Sequence, residues 1–147
     1  MGMIYLGADK HGFKAIKITE QWLKRKGLKF ENVGVLNEKA DIKLQKLLPK
    51  VAVKVKSNEE NRAIISCGTG IGVEVGINKF EGIRAVLAYD PEIAAWSRIY
   101  DKCNVLCLVG WKENQDLIEK ILEKWFTAEY DGDQGRLEMF NAFDSWH

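Results

Sequence analysis

The sequence predicts a single α/β domain: a three-layer α/β/α sandwich around a doubly wound, five-stranded parallel sheet of the Rossmann-like type. Short apolar runs alternate with amphipathic stretches of helical period along the whole chain. Five such β-α units in succession imply parallel strands joined by right-handed crossovers. With 147 residues and 46% hydrophobic content, the chain is long enough for one core and too short for two. We therefore expect residues 1–147 to form one domain.

The apolar and amphipathic stretches give the order of the elements. Strands are predicted at residues 4–8, 28–33, 62–66, 83–88 and 104–109. Helices are predicted at residues 13–26, 41–57, 73–79, 92–100 and 115–126. Pro49 is expected to kink or divide the second helix. Residues 130–147 show no clear period and are predicted to form a C-terminal arm.

Composition and charge exclude several classes of partner. The chain has 22 Lys and Arg against 21 Asp and Glu, so it has no overall field to attract nucleic acid or an acidic membrane surface. Any anionic ligand must be held by a local cluster of charges. The apolar runs, such as 105–109, are far shorter than the roughly 20 residues of a membrane span, and residues 3–8 show no leader pattern. We expect a cytoplasmic protein with neither nucleic acid nor a membrane as partner.

The cysteines and histidines argue against a disulfide framework or a zinc site. Cys67, Cys103 and Cys107 include no Cys-x-x-Cys pair, and the chain has only two histidines, His11 and His147. We therefore expect no bound metal. Cys103 and Cys107 lie within or beside an apolar run and are predicted to be core residues. The tryptophans are predicted to lie in the core or at subunit interfaces: Trp22, Trp96, Trp111, Trp125 and Trp146.

Residues 68–72, Gly-Thr-Gly-Ile-Gly, form a glycine-rich turn between a predicted strand and a predicted helix. Backbone N–H groups without a helical partner point from such a turn toward the carboxyl edge of the sheet, where ligands bind in doubly wound folds. The turn is therefore a candidate anion or oxyanion site. No Lys-Ser/Thr closes it as in a Walker loop, and Val75 stands where a dinucleotide fingerprint has its third glycine. The alternative is that the glycines serve only tight packing between helix and sheet.

Cys67 immediately precedes the glycine-rich turn and strengthens the case for chemistry there. The peptide dipoles at a helix N-terminus stabilise a thiolate, which suits the side chain to act as a base or a nucleophile. Thr69 adds a hydroxyl within the same turn. These residues predict a catalytic site without excluding a purely structural role.

Six segments of the chain, taken in order, match the pattern of one known family. The most specific is Cys-Gly-Thr-Gly-Ile-Gly at 67–72, followed by Asn-Lys-Phe-Glu-Gly-Ile-Arg-Ala at 78–85. The other matching segments are 7–14, 97–98, 104–106 and 125–132. The chain resembles ribose-5-phosphate isomerase B, whose family also contains the galactose-6-phosphate isomerase subunits. The resemblance covers nearly the whole chain.

Enzymes of this family interconvert aldose and ketose phosphates through a cis-enediol and use no metal or organic cofactor. The resemblance therefore implies a sugar-phosphate isomerase without a cofactor, in which Cys67 is the general base between C1 and C2 of the opened sugar. The hydroxyl of Thr69 and the N–H groups of the turn would stabilise the charge that develops on oxygen. These N–H groups belong to Gly68, Gly70, Ile71 and Gly72. The resemblance also implies a homodimer or homotetramer in which a neighbouring subunit completes each site.

The first departure from the family pattern follows the first strand. The family's Asp-His-x-Gly here reads Asp9-Lys10-His11-Gly12, and a shift by one position reverses the direction of a side chain in an extended segment. Lys10 is then expected to face the substrate, with Asp9 and His11 as further catalytic candidates. The alternatives are that Asp9 caps the following helix and that His11 is simply exposed in the turn.

The second departure affects ring opening and phosphate binding. Tyr100 and Asp101 stand where the family has His-Asn, and tyrosine is a poor proton carrier near neutral pH because its ordinary pKa is about 10. The family's Asp-Tyr-Pro is replaced by Asp-Ile-Lys at 41–43, and only Arg136 remains of its arginine-rich ending. Tyr100 is the candidate for catalysis here, and Asp101 and Arg136 are candidates for substrate binding.

The centre for proton transfer is thus kept, while the groups for ring opening and phosphate binding are changed. This pattern predicts a substrate other than ribose 5-phosphate in its furanose form, such as a short or largely acyclic sugar phosphate. The alternative is a noncatalytic sugar-phosphate-binding or partner subunit of a hetero-oligomer.

Overall fold

The three central strands are buried on both faces, as a parallel sheet covered by helices requires, and the two edge strands are partly exposed. The computed structural model describes residues 1–112 and 114–146, so His147 lies outside the described residues. All five residues of β1 (Ile4–Ala8) are buried, and only the last residue of β5 (Val105–Val109) is partly exposed. Helices therefore cover both sides of the sheet.

Five β-α units follow one another along the described residues, and the last is followed by one additional helix. The strands are β1 (Ile4–Ala8), β2 (Phe30–Asn32), β3 (Arg62–Cys67), β4 (Ala85–Leu87) and β5 (Val105–Val109). The helices are α1 (Phe13–Arg25), α2 (Leu44–Lys56), α3 (Ile71–Ile77), α4 (Pro91–Ile99), α5 (Gln115–Thr127) and α6 (Gln134–Asp144). Every strand and helix predicted within residues 4–126 is present, with small differences at the ends. No helix in the described part of the chain is long and apolar enough to cross a membrane.

The sheet is wholly parallel, with the strand order β2-β1-β3-β5-β4. β1 and β3 are neighbours, paired in register from Ile4 opposite Arg62 to Ala8 opposite Ser66. The chain passes from β1 to β2 on one side and from β3 to β4 on the other. The topological switch point therefore lies between β1 and β3, where doubly wound folds bind their ligands. The predicted fold class is confirmed.

Alternate residues of the strands face two separate cores. On one face, Ile4 and Leu6 pack with α1, α4 and α5 around Trp125, whose side chain is fully buried. On the other face, Tyr5 and Cys67 pack with α2 and α3. The side chain of Cys67 thus points to the layer formed by α2 and α3.

Pro49 lies inside α2, and the helix continues through it without being divided. Burial explains this continuity, because side chains on both sides of the proline pack into the second core and hold the whole helix on the sheet. These side chains are Leu47, Leu48, Val51, Ala52 and Val55. Pro49 itself is exposed.

Residues 134–144 form the helix α6, where the sequence predicted an arm without a regular period. None of its residues is buried, so it has no apolar stripe of helical period that sequence reasoning could detect. The side chain of Asp133 caps it by accepting a hydrogen bond from the N–H of Arg136 at 2.9 Å. At the other end, Asp144 accepts a hydrogen bond from the N–H of Gly82 at 3.1 Å. Polar contacts at both ends therefore position this helix.

Replacing Pro49 with Ala should raise the free energy of unfolding by about 1–3 kcal/mol, because proline in a helix interior is about 3 kcal/mol less favourable than alanine. The new N–H can bond to the carbonyl of Gln45, and the exposed proline ring makes no core contact that would be lost. Urea unfolding followed by circular dichroism measures the change. Pro91→Ala is the matched control, because Pro91 occupies the first turn of α4, where proline is favourable, and should give no gain. An unchanged or lower unfolding free energy for Pro49→Ala would contradict this account of α2.

Candidate active site

Three turns meet at the carboxyl edge of the sheet, next to the switch point. The carbonyl oxygens of His11 and Cys67 both lie within 2.5 Å of the point that a Cβ on Gly110 would occupy. A Cβ on Gly12 would lie 2.4 Å from the carbonyl carbon of Ser66. Neither glycine has room for a side chain, because the neighbouring atoms belong to the backbone. The turns after β1, β3 and β5 are therefore in direct contact.

Cys67 is the last residue of β3 and leads directly into the glycine-rich turn. Its side chain is 6% exposed, and its sulfur lies 3.8 Å from the point that a Cβ on Gly72 would occupy. Its carbonyl oxygen accepts a hydrogen bond from the N–H of Gly110 at 2.9 Å. The thiol is thus fixed beside the first turn of α3, in a residue that is almost completely buried.

The glycine-rich turn depends on its central glycine. Gly70 has a φ of 78°, in the left-handed region, and a Cβ there would lie 2.9 Å from the carbonyl oxygen of Leu108. The oxygen of Thr69 accepts a hydrogen bond from the N–H of Ile71 at 3.1 Å. Among the described residues, no acceptor pairs with the N–H groups of Gly68, Thr69 or Gly70. The turn therefore presents unpaired backbone donors beside the thiol.

Two carboxylates organise the turn between β1 and α1. Asp9 accepts hydrogen bonds from the N–H groups of His11, at 2.9 Å, and Gly12, at 3.1 Å. Asp9 therefore closes this turn rather than capping α1, whose N-cap is Gly12 without a side-chain cap. The N–H of Lys10 donates to Asp41 at 3.1 Å, and this bond is the main reason that the pKa of Asp41 is lowered. Sequence reasoning did not assign Asp41 to the site, although it noted the segment 41–43.

A cleft of about 490 Å³ opens beside these turns. Charged and aromatic side chains line it: Lys10, His11, Phe13, Lys14, Glu38, Lys39 and Trp111. Three lysines against one glutamate make the cleft positive, which suits an anionic group. Lys10 and His11 both reach it, although they are adjacent in the sequence.

Trp111 is a site residue that sequence reasoning missed. It is not a core residue, because its side chain is 64% exposed. Its ring covers Gly68, where a Cβ would lie 2.4 Å from Cε2 of the indole. It also meets the ring of His11 edge-on, with 5.7 Å between the ring centroids. Its place just after β5 was the available signal, since ligands bind at that end of the strands.

Tyr100, Asp101 and Arg136 do not lie at this site within one chain. α4 starts at the carboxyl edge and runs back toward the amino edge, where Tyr100 ends it. The Nε of Arg136 donates to the carbonyl oxygen of Tyr100 at 2.6 Å, and its guanidinium lies 5.4 Å from the centroid of the tyrosine ring. Tyr100, Asp101 and Arg136, named here the amino-edge cluster, are thus on the opposite edge of the sheet from Cys67.

Carboxylates already hold the guanidinium of Arg136. It pairs with Asp131 and also with Asp133, at 3.6 Å for the second pair. The hydrogen bond with Asp131 raises the pKa of Arg136. The pKa of Asp131 is lowered, first by a hydrogen bond from the backbone of Asp133 and then by Arg136. A phosphate that binds Arg136 must compete with both carboxylates.

The other two cysteines are core residues, as predicted. Burial raises the pKa of Cys103 to about 12 and raises that of Cys107 well above its ordinary value. Both are therefore neutral thiols near pH 7. Within residues 1–112 and 114–146, no three His, Cys, Asp or Glu side chains are grouped so that they could hold a metal ion.

Comparison with known proteins tests the resemblance that the motifs suggested. The model of the Ribose/Galactose Isomerase family matches residues 4–140. The chain belongs to this family. It is therefore an enzyme of the sugar-phosphate isomerase class, as the sequence predicted.

Two curated relatives and one solved structure illustrate how far this family's similarity extends. The chain is 28% identical over 144 residues to Ribose-5-P isomerase B of Listeria innocua, covering 96% of each chain. It is 30% identical over 130 residues to D-erythrulose-4-phosphate isomerase 2 of Mycolicibacterium smegmatis, covering 87% of this chain and 86% of the relative. The crystal structure of a ribose 5-phosphate isomerase from Thermotoga maritima matches with a TM-score of 0.90 at 26% identity, covering 97% of both chains. The similarity therefore extends over the whole domain.

Proposed function

We propose that this chain interconverts the aldose and ketose forms of a short, largely open-chain sugar phosphate, with Cys67 as the base. The observation that carries this proposal is the grouping of three features at one edge of the sheet. These are a thiol, backbone N–H groups without an acceptor among the described residues, and a lysine-lined cleft. Membership of the isomerase family supplies the class of reaction.

The reaction moves one proton between two carbons and needs no outside oxidant or reductant. Cys67, as the thiolate, takes the proton from C2 of the open-chain aldose, and the electrons of that bond move toward the C1 carbonyl oxygen. The N–H groups of Gly68 and Gly70, with Thr69, donate to that oxygen as its negative charge develops. In the second half, the proton on O2 of the enediolate passes to O1, the C2 carbonyl forms, and C1 takes the proton held by Cys67. The product is the ketose, and the thiolate is regenerated.

Lysines of the cleft are placed to hold the phosphate of the substrate. Lys10 and Lys39 both line the cleft, and the indole of Trp111 lies between the cleft and Gly68. In the proposed binding mode, the substrate crosses this indole, with its phosphate at the lysines and its reacting carbons on the side of Gly68 and Cys67. A lysine is a point charge on a flexible stem, so it can follow a phosphate without fixed geometry. These lysines compensate for the arginines that the family pattern has and this chain lacks.

The loss of the ring-opening histidine favours a substrate that is already open. A furanose must open before its C2 proton can be removed, and this step calls for a group that exchanges protons near pH 7. Tyr100 replaces that histidine, while the ring of His11 is placed against Trp111. A tetrose phosphorylated at C4 has no free hydroxyl there to close a five-membered ring. The relative named for D-erythrulose 4-phosphate supports a four-carbon substrate.

Replacing Cys67 with Ala should lower kcat by at least about 100-fold, because general acid–base catalysis contributes factors of this size or more. The measurement is the entry of solvent deuterium at C1 or C2 of erythrose 4-phosphate and erythrulose 4-phosphate. Turnover close to that of the wild type would contradict Cys67 as the base.

Cys107→Ala is the matched control for this variant. Cys107 is fully buried in the same core as Cys67 but lies within β5, away from the glycine-rich turn. The Cys107→Ala variant should keep the deuterium exchange. Any loss of stability that comes from removing a buried thiol should appear in both variants. If the wild-type chain exchanges no deuterium into a panel of tetrose, pentose and hexose phosphates, the noncatalytic partner subunit is the correct reading.

Kinetics on two substrates test the proposal about ring form. We expect kcat/KM on erythrose 4-phosphate to exceed that on ribose 5-phosphate by at least about tenfold, which corresponds to roughly 1.4 kcal/mol of transition-state stabilisation. The expected cause is the missing ring-opening group, so the difference should lie mainly in kcat. Equal or better kinetics on ribose 5-phosphate would show that Tyr100, His11 or a water molecule opens the ring.

Assembly follows from the separation of the two edges within one chain. Residues of the amino-edge cluster can complete the site only if they come from another copy of the chain. Exposed aromatic side chains offer apolar surface for such an assembly: Tyr89, Trp96, Phe143 and Trp146. We propose a homodimer or homotetramer in which the amino-edge cluster of one subunit approaches Cys67 of another.

Mixing two inactive variants tests this shared site directly. In a co-expressed mixture of Cys67→Ala and Arg136→Ala, a mixed dimer contains one site with both native residues, so about a quarter of the wild-type sites should be restored under random pairing. Light scattering at micromolar concentration should show at least a dimer. A monomer, or a mixture no more active than the better of its two components, would contradict the shared site.

A further inference from the structure

In the described structure, three buried N–H donors without a hydrogen-bond acceptor are grouped around one tryptophan ring. They are Nη1 of Arg62, Nε of Arg98 and Nε1 of Trp125. The guanidinium groups of Arg62 and Arg98 lie 5.3 Å and 5.9 Å from the ring of Trp125. Buried polar groups in proteins are nearly always hydrogen-bonded, so several unsatisfied donors at one point indicate a missing acceptor.

The charges at this place are also unbalanced. Among the described residues, no carboxylate lies within 4 Å of the guanidinium of Arg62 or Arg98. Burial, together with the charge of Arg98, lowers the pKa of Arg62 to about 10. Burial also lowers the pKa of Arg98, and both groups remain charged at neutral pH. Two like charges, one buried and one partly buried, lie against the same tryptophan ring and favour a negative partner over an uncharged one.

A pocket of about 140 Å³ adjoins these guanidinium groups. Its charged lining consists of Arg62, Arg84, Arg98 and Lys102 against Glu59 and Glu60. The net charge of this lining is positive, and the volume exceeds that of a few water molecules at about 30 Å³ each. Some donors are already used, because Arg98 donates to the carbonyl of Cys103 at 2.6 Å and Arg84 to that of Lys102 at 3.1 Å. The unsatisfied nitrogens of Arg62 and Arg98 remain.

We propose that this arginine pocket binds a small oxyanion, such as inorganic phosphate or the phosphate group of a monoester, at a site separate from the one that holds the substrate. Within one chain, Arg62 begins β3 and Cys67 ends it, so the rise of about 3.3 Å per residue separates them by roughly 17 Å. The pocket is also lined by none of the residues of the amino-edge cluster. The planar guanidinium groups match the oxygens of phosphate. Water could fill the pocket and accept hydrogen bonds, but the positive charge of the lining, which Glu59 and Glu60 offset only in part, would keep its excess.

Titration with inorganic phosphate tests this proposal. Calorimetry at constant ionic strength, with chloride as the balancing ion, should detect phosphate binding to the wild-type chain. Arg62→Met keeps a long apolar stem over Trp125 and removes the charge, so it should weaken that binding event at least about tenfold. Arg25→Met removes an exposed arginine that pairs with Glu119 and should leave phosphate binding unchanged. Equal phosphate affinity in Arg62→Met and wild type would overturn the proposal.

Further measurements distinguish phosphate binding at the arginine pocket from binding at the substrate site. They also distinguish a loss of binding from a loss of folding. Cys67→Ala should keep the phosphate binding, and Arg62→Met should keep the KM for the sugar phosphate measured without added phosphate. A raised KM in Arg62→Met would overturn the claim of a separate site. If Arg62→Met does not fold, Lys102→Met, which alters an exposed side chain of the pocket, should weaken phosphate binding about threefold. No weakening in that variant would count against the site.

The size of the ligand can be read from the same titration. Methyl phosphate should bind as well as inorganic phosphate if the pocket takes the end of a phosphate monoester. If inorganic phosphate binds and methyl phosphate does not, the ligand of the pocket is the free phosphate ion. Absence of both, in a wild-type chain whose circular dichroism is that of a folded protein, would overturn the proposal.

Discussion

The contact of backbone against backbone at Gly12 and Gly110 is the constraint on which the candidate site depends. At each position a single added carbon would lie about 2.5 Å or less from atoms of another turn. Such a contact joins the ends of β1, β3 and β5 without any side chain between them. Because the turns touch, the thiol of Cys67 and the ring of His11 are held at one edge of the sheet. A larger residue at either position would force these backbone segments apart.

The layout of the sheet could be predicted from the sequence because its signals are local. β1 and β5 are continuous apolar runs, and α1 and α5 carry a clear helical period. α6 could not be predicted in the same way, because it buries no residue and polar contacts at Asp133 and Asp144 hold it in place. The expectation that Pro49 divides the second helix was wrong for a related reason. The local preference of the proline is outweighed by the burial of the residues around it, which only the folded chain shows.

The site could be predicted where its residues are contiguous in the sequence. Cys67 and the glycine-rich turn form one segment of the candidate site, so their proposed roles rest on adjacent residues. Asp41 and Trp111 join the site only through the fold, as a hydrogen bond to Lys10 and a ring placed over Gly68 show. The amino-edge cluster illustrates the opposite case. Its residues match the family pattern by position, yet one chain holds them on the far edge of the sheet.

Because the lysine-lined cleft is exposed to water, a second subunit that covers it would strengthen substrate binding in the proposed reaction. Lys10 and Lys39 are exposed to water, where an ion pair contributes at most about 1 kcal/mol because solvent and salt screen it. Covering the same cleft with a second subunit lowers the local dielectric and strengthens each charge interaction without adding a charge. It also excludes bulk water from the reactive enediol. Under the proposed mechanism, one chain supplies the groups for proton transfer, and the cover of a neighbouring copy would strengthen the binding of the phosphate.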